Sequence, residues 1–160
     1  MGIEAYDKRG PVMARRVFFS FHYERDVWRA SVVRNSWLTK DREAAGFWDA
    51  GIWEEAKKKG DAAIKAMIDK ALNNTSVTAV LIGKETANRQ YVKYEIDKSI
   101  ARGNGILGVR IEKIENSKGQ VDDAGQNPLP SKYPIYLWNK NEGYKNLGTW
   151  VEAAAKVAGR

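Results

Sequence analysis

Residues 76–83 read SVTAVLIG, an apolar run closed by a glycine. It does not alternate polar with apolar. A short, continuous apolar run of this kind is the mark of a strand buried on both faces, and such strands belong to parallel sheets covered by helices. Gly83 ends the run. The rest of the chain is read outward from this strand.

Toward the C-terminus, RQYVKYEIDKSI (residues 89–100) carries Val92, Ile96 and Ile100 at helical spacing. They predict one apolar stripe on a helix over 88–102, ended by Gly103. Glu95 borders that stripe, an odd place for an acid. ILGVRI (106–111) reads as a further strand. A long polar connection rich in turn formers follows. A short strand is expected near Ile135–Leu137. LGTWVEAAAKVAG reads as a closing helix, with Trp150, Ala154 and Val157 facing inward.

Toward the N-terminus, WEEAKKKGDAAIKAMIDKAL places Ile64, Met67, Ile68 and Leu72 on one side of a helix. Asp61 after Gly60 suits an N-cap, and Asn73-Asn74 ends the helix. TKDREAAGFWDAG reads as a loop with some local helix. DVWRASVVRNSW is a helix capped by Asp26, with Val27, Ala30, Val33 and Trp37 on its inner face. RRVFFSF holds a short buried strand, Val17 to Phe21. The second strand is the hardest to place, and WLT at 37–39 is its best candidate. Residues 1–14 read as a leader, and 15–160 as one domain. The alternation of strands and helices predicts an α/β, flavodoxin-like three-layer sandwich. Its mostly parallel sheet has about five strands in the order 2-1-3-4-5.

Composition narrows the function. The 160 residues are 43% hydrophobic and 29% charged, which is ordinary globular chemistry. The chain has no cysteine and one histidine, which removes thiolate catalysis and disulfides and argues against a protein zinc site. MGIEAYDKRGPVMARR lacks the apolar core of a signal peptide, and no apolar run nears the length of a membrane span. The expected home is the cytoplasm, with no membrane partner. The net charge of +7 fits nucleic acid, a membrane surface or an anionic small molecule. The basic residues are spread along the chain, Lys57–Lys59 reads as a solvated helix face, and no nucleic-acid motif is present.

Open α/β sheets bind ligands at the carboxyl ends of their strands, where strand order reverses. After the first strand come Ser20, Phe21, His22 and Asp26; after the third come Gly83 and then Tyr91 and Glu95. One crevice would thus gather aromatics, the only histidine and one carboxylate. GxGxxG, P-loop and HExxH patterns are missing. Ser20, His22 and Asp26 make a triad only on paper, because no nucleophile elbow is present.

RRVFFSFHYERDVWRASVVRNSW, GFWDAGIWEEAKKKGDAAIKAMIDKAL, TSVTAVLIGKET, RQYVKYEI and the Ala101–Gly105 turn together resemble the TIR-like domains of bacterial antiphage defence, in particular the TIR subunit of Thoeris systems. The resemblance runs from about Arg16 to Ile111. It implies a flavodoxin-like sheet and an enzyme that breaks the bond between nicotinamide and ribose in NAD. The family's acid lies on the helix after the third strand, in the pattern aromatic-x-x-x-Glu. Tyr91-Val-Lys-Tyr-Glu95 matches, so Glu95 is the implied catalytic residue. Ser20, Phe21, His22, Asp26, Gly46, Phe47, Gly83 and Tyr91 are the implied substrate contacts. NAD would be a substrate, with no cofactor and no metal. The implied product is an ADP-ribose-derived nucleotide, cyclic in many relatives, that activates a separate effector protein. Self-association and a phage-derived trigger fit the same picture.

Plainer roles compete at each position. Glu95 could be a surface acid paired with Lys98 or Arg102. Phe21, Trp28 and Trp48 could be core, and His22 or Asp26 could simply cap a helix. A non-catalytic TIR-like adaptor or ligand sensor is the alternative function. A receiver domain would need acids after the first strand, where Ser20-Phe21-His22 stands instead.

Overall fold

A computed structural model describes residues 15–39 and 42–160. The expected leader at 1–14 lies outside the described residues. The elements are β1 (Arg16–Ser20), α1 (Tyr23–Leu38), β2 (Glu43–Ala45), α2 (Ala50–Lys59), α3 (Asp61–Leu72), β3 (Val77–Ile82), a 3-10 turn (Thr86–Asn88), α4 (Gln90–Ala101), β4 (Gly105–Arg110), β5 (Ile135–Leu137) and α5 (Gly143–Val157). The five strands form one sheet in the order β2-β1-β3-β4-β5. Every pairing is parallel. This is the expected doubly wound architecture.

β3 is buried at all six positions, and the reason lies on both of its faces. Val77, Ala79 and Leu81 join Val17, Phe19, Leu107 and Val109 in a core covered by Ala30, Val33 and Trp37 of α1 and Trp150, Val151 and Ala154 of α5. On the other face, Phe18 packs with Trp53, Ile64, Ile68 and Leu72 of α2 and α3. Val80, Ile82 and Ile106 pack with Val92 and Ile96 of α4. Two apolar layers explain why alternation is absent from the central strands.

Several local expectations are corrected. Trp37 and Leu38 belong to α1, and the second strand is Glu43–Ala45, inside the stretch expected to be a loop. Trp37 continues the Ala30–Val33 face of the helix, and its indole Nε1 donates to Glu43 O at 2.8 Å. β2 forms because β1 offers it a parallel partner, not because Glu-Ala-Ala favours a strand. α1 begins at Tyr23 and its N-cap is His22, so Asp26 lies within the helix, fully buried. Val27 is exposed rather than inward, as is Val157 of α5. The stretch before β3 holds two helices, the second starting at Asp61. Gly60, at φ 106°, ends α2 and caps α3, so Asp61 is the first helical residue and not the cap.

The long connection after β4 is pinned across the carboxyl end of the sheet. Arg29 is buried and donates to Ile114 O, Gln120 O and Asp122. Arg25 also donates to Asp122, at 2.7 Å. Gly125 fits against Gly83 O so closely that a Cβ would stand 2.2 Å from that oxygen.

Candidate active site

Ser20 closes β1 and Glu95 lies one turn into α4, which follows β3. The sheet brings them together: Ser20 Oγ donates to Glu95 Oε1 at 2.6 Å. Both are buried, Ser20 fully and Glu95 to 5% exposure. Glu95 is therefore not the half-exposed edge residue that its sequence position suggests. Val92 and Ile96 bury on either side of it, while Ile100, the expected third member of the stripe, is exposed. Burial pushes the Glu95 carboxyl up to about 8; the Ser20 hydrogen bond and the Arg89 guanidinium pull it back only in part. A surface pair with Lys98 or Arg102 is not what this side chain makes.

His22 caps α1. Its Nδ1 accepts from Arg25 N at 3.3 Å. Burial, and then the nearby Arg89 charge, lower its pKa below the ordinary histidine value, so it is neutral at pH 7. His22 and Tyr91 line a cleft of about 500 Å³ whose other walls come from Glu24, Trp53, Lys57, Gly60, Asp61, Ile64 and Arg89. The Tyr91 hydroxyl donates to Asp61 Oδ1 at 2.9 Å. Ser20 and Glu95 are too buried to line the cleft themselves. Their near neighbours do so: His22 is two residues after Ser20, and Tyr91 is one turn before Glu95.

The remaining candidates divide. Phe21 is buried in an aromatic file, its ring 4.8 Å from Phe47 and 6.0 Å from Tyr23. Tyr23 stacks on Trp53 at 4.6 Å, and Trp53 on Trp48 at 5.7 Å. Gly46, at φ 93°, passes Phe19 so closely that a Cβ would lie 2.3 Å from Phe19 O. Asp26 is packed against Gly83, where a Cβ would come 2.2 Å from Asp26 Oδ2. Its Oδ1 faces Arg25 Nη1 at 3.2 Å and Arg29 Nη1 at 3.6 Å, while Oδ2 has no hydrogen-bond partner among the described residues. Burial raises its pKa against the pull of both arginines. Gly46, Phe47, Asp26 and Gly83 are not among the residues that line this cleft. Trp28, weighed as core, is 54% exposed.

The strand-end rule did not find Glu24, Trp53, Lys57 and Arg89. Trp53 Nε1 donates to Glu24 Oε2 at 2.8 Å, and Arg89 pairs with Glu24 Oε1. Trp53 lies within the blocks that carry the resemblance, Lys57 opens the lysine run, and Arg89 precedes the stripe; none of these signals singles them out for a site. Among the described residues no group of three His, Asp or Glu side chains is arranged to hold a metal, and no helix is long and apolar enough to cross a membrane.

Residues 18–116 match the family described as Thoeris protein ThsB, TIR-like domain. The chain belongs to this family. It is also 45% identical over 152 residues to a Bacillus cereus protein named "Putative cyclic ADP-D-ribose synthase ThsB1", across 86% of this chain and 79% of that protein. The matched span of the TIR-like domain takes in Ser20, the cleft and Glu95.

Proposed function

We propose that this TIR-like domain cleaves NAD at the nicotinamide–ribose bond and converts the remainder into an ADP-ribose-derived signal, with Glu95 as its catalytic residue. The observation that carries the reading is the acid itself. Glu95 is buried where the sheet's carboxyl end meets α4, and its one hydrogen bond among the described residues is to Ser20. Keeping a carboxyl there costs stability, and a pure binding module has no use for that cost. The relative named as a cyclic ADP-D-ribose synthase supports the same chemistry.

The C1′–N bond breaks and its electron pair leaves with nicotinamide as a neutral base. The ribose is left with oxocarbenium-like positive charge. A fixed carboxylate in a site that excludes water stabilises that charge. The bond to C1′ then forms from an adenine nitrogen or a ribose oxygen of the same molecule, the oxygen giving up its proton. Holding both ends of the dinucleotide raises the effective concentration for this step over attack by water. A cyclic product follows, and it acts on a separate effector protein in antiphage defence. Ser20, His22 and Tyr91 place the nicotinamide ribose.

The free protein has Glu95 closed off from the cleft, so turnover without a trigger falls well below the enzyme median of about 10 s⁻¹. The test is incubation with NAD and resolution of the products by mass spectrometry, wild type beside Glu95→Gln. Equal product from the two proteins, or none from either with and without infected-cell extract, overturns the reading.

A further inference from the structure

Glu24 is held in a way that catalysis by Glu95 does not explain. It lies in the first turn of α1 and points across the cleft. Its Oε2 accepts from Trp53 Nε1 at 2.8 Å and stands 3.6 Å from Lys57 Nζ; its Oε1 pairs with Arg89 Nη2. Burial alone would raise its pKa, but the Trp53 indole hydrogen bond and the Arg89 and Lys57 charges overcome that and hold it below the ordinary glutamate value. Three donors from two separate elements, Trp53 and Lys57 of α2 and Arg89 at the start of α4, thus converge on one carboxylate. Asp61, the other acid of the cleft, is already engaged by Lys65 at 3.1 Å and by the Tyr91 hydroxyl.

We infer that Lys57, Trp53 Nε1 and Arg89 form a subsite for the diphosphate of a dinucleotide, and that Glu24 occupies it as an internal anion in the ligand-free protein. The inference rests on the NAD reading above and assigns the part of the substrate that Glu95 does not touch. The diphosphate hangs from the same ribose whose C1′ bond breaks. Arg89 pairs with Glu24 and caps α4, the helix that carries Glu95 six residues on, so one dinucleotide can span both. The contacts suit exchange. Glu24, Lys57 and Arg89 keep 37%, 42% and 26% of their side chains in water, and such pairs are weak enough for a ligand to displace. A diphosphate brings more charge and more acceptors than one carboxylate, and donors that already converge need no reorganisation to meet it. Glu24 then acts as a brake: substrate must expel it before binding.

The probe is inorganic pyrophosphate, titrated calorimetrically into the Glu95→Gln protein, which keeps the cleft and removes turnover. Adding Glu24→Gln, which preserves an oxygen for the Trp53 indole, should tighten pyrophosphate by about fivefold or more, since like charge in the site opposes the anion. Arg89→Gln should weaken it about tenfold, the loss of one charge-assisted contact. Glu55→Gln removes the same charge from an exposed position of α2 outside the cleft and should change nothing. The inference is overturned if pyrophosphate binds none of the proteins, or if Glu24→Gln behaves like Glu55→Gln. In the background that retains Glu95, Glu24→Gln should lower KM for NAD more than it changes kcat. If that background makes no product while the pyrophosphate pattern holds, the anion subsite stands and the enzymatic reading alone falls.

Discussion

Ser20 and Glu95 are 75 positions apart and share a 2.6 Å hydrogen bond in a pocket that admits almost no water. Among the described residues the hydroxyl is the one group donating to that carboxyl, so it favours the ionised form that must face positive charge. Ser20→Ala should push the Glu95 pKa above its value of about 8 and lower product formation about tenfold or more near neutral pH, as loss of a hydrogen bond to a charged group implies. Ser20→Thr, which keeps a hydroxyl, should restore part of the rate. A Ser20→Ala enzyme with the wild-type pH profile would show that the hydroxyl is only packing.

The same carboxyl sets the pH dependence of the free enzyme. If the ionised form is the working one, kcat/KM should rise with pH and level off above about 8. In the substrate complex the cationic nicotinamide ring favours ionisation, so kcat should titrate at a lower pH than kcat/KM. A profile flat from about pH 6 to 9 contradicts this assignment.

His22 should leave no mark on those profiles. It is neutral at pH 7 and serves as the cap of α1, and the departing pyridine needs no proton. His22→Asn keeps a side-chain acceptor for Arg25 N, whereas His22→Ala loses it at a cost of about 1 kcal/mol. The asparagine variant should therefore melt higher and keep more activity than the alanine variant. A rate step below the ordinary histidine value of 6.5 that vanishes in His22→Asn would assign the histidine a proton-transfer role instead.

The sequence made the sheet legible because its strongest signal is local: β3 and β4 are apolar runs, and the helix between them keeps a 3.6-residue period. Glu43–Ala45 was not legible. Its residues have no strand preference, and only the edge of β1 makes them one. Glu95 could be singled out by its place beside Val92, but its depth could not. Burial depends on β1 carrying Ser20 to it, and that contact has no trace in local spacing. The cleft walls were hidden for the same reason. Glu24, Trp53 and Arg89 come from three helical regions that meet only in the fold.

Gly46 holds a backbone position beside β1 that only glycine fits. Its φ of 93° and its approach to Phe19 O exclude a side chain. Gly46→Ala should destabilise the fold by about 1–3 kcal/mol, the usual scale of such backbone strain. Thermal melting checks it, and a variant that melts like the wild type would remove Gly46 from this role.

Glu95→Gln joins the stability argument to the catalytic one. In the native protein the carboxyl titrates at about 8, above its ordinary 4.5. Between those values the folded chain holds the proton more tightly than the unfolded chain, so wild-type stability falls as pH rises through this window. Below about 4.5 both states are protonated and the penalty is absent; above about 8 both are ionised and it is complete. Glutamine cannot ionise, and its oxygen can still accept from Ser20. The variant should match wild type at about pH 4 and become progressively more stable up to about pH 8, by denaturant midpoint. Its NAD turnover should fall about 10² or more, the loss expected when a charge aimed at the transition state is removed. Glu85→Gln, an exposed acid just after β3, should change neither quantity comparably. A variant that gains stability at high pH and loses activity has given up a group kept for chemistry. One that gains no stability at high pH, or keeps its turnover, would show that Glu95 is neither strained nor catalytic.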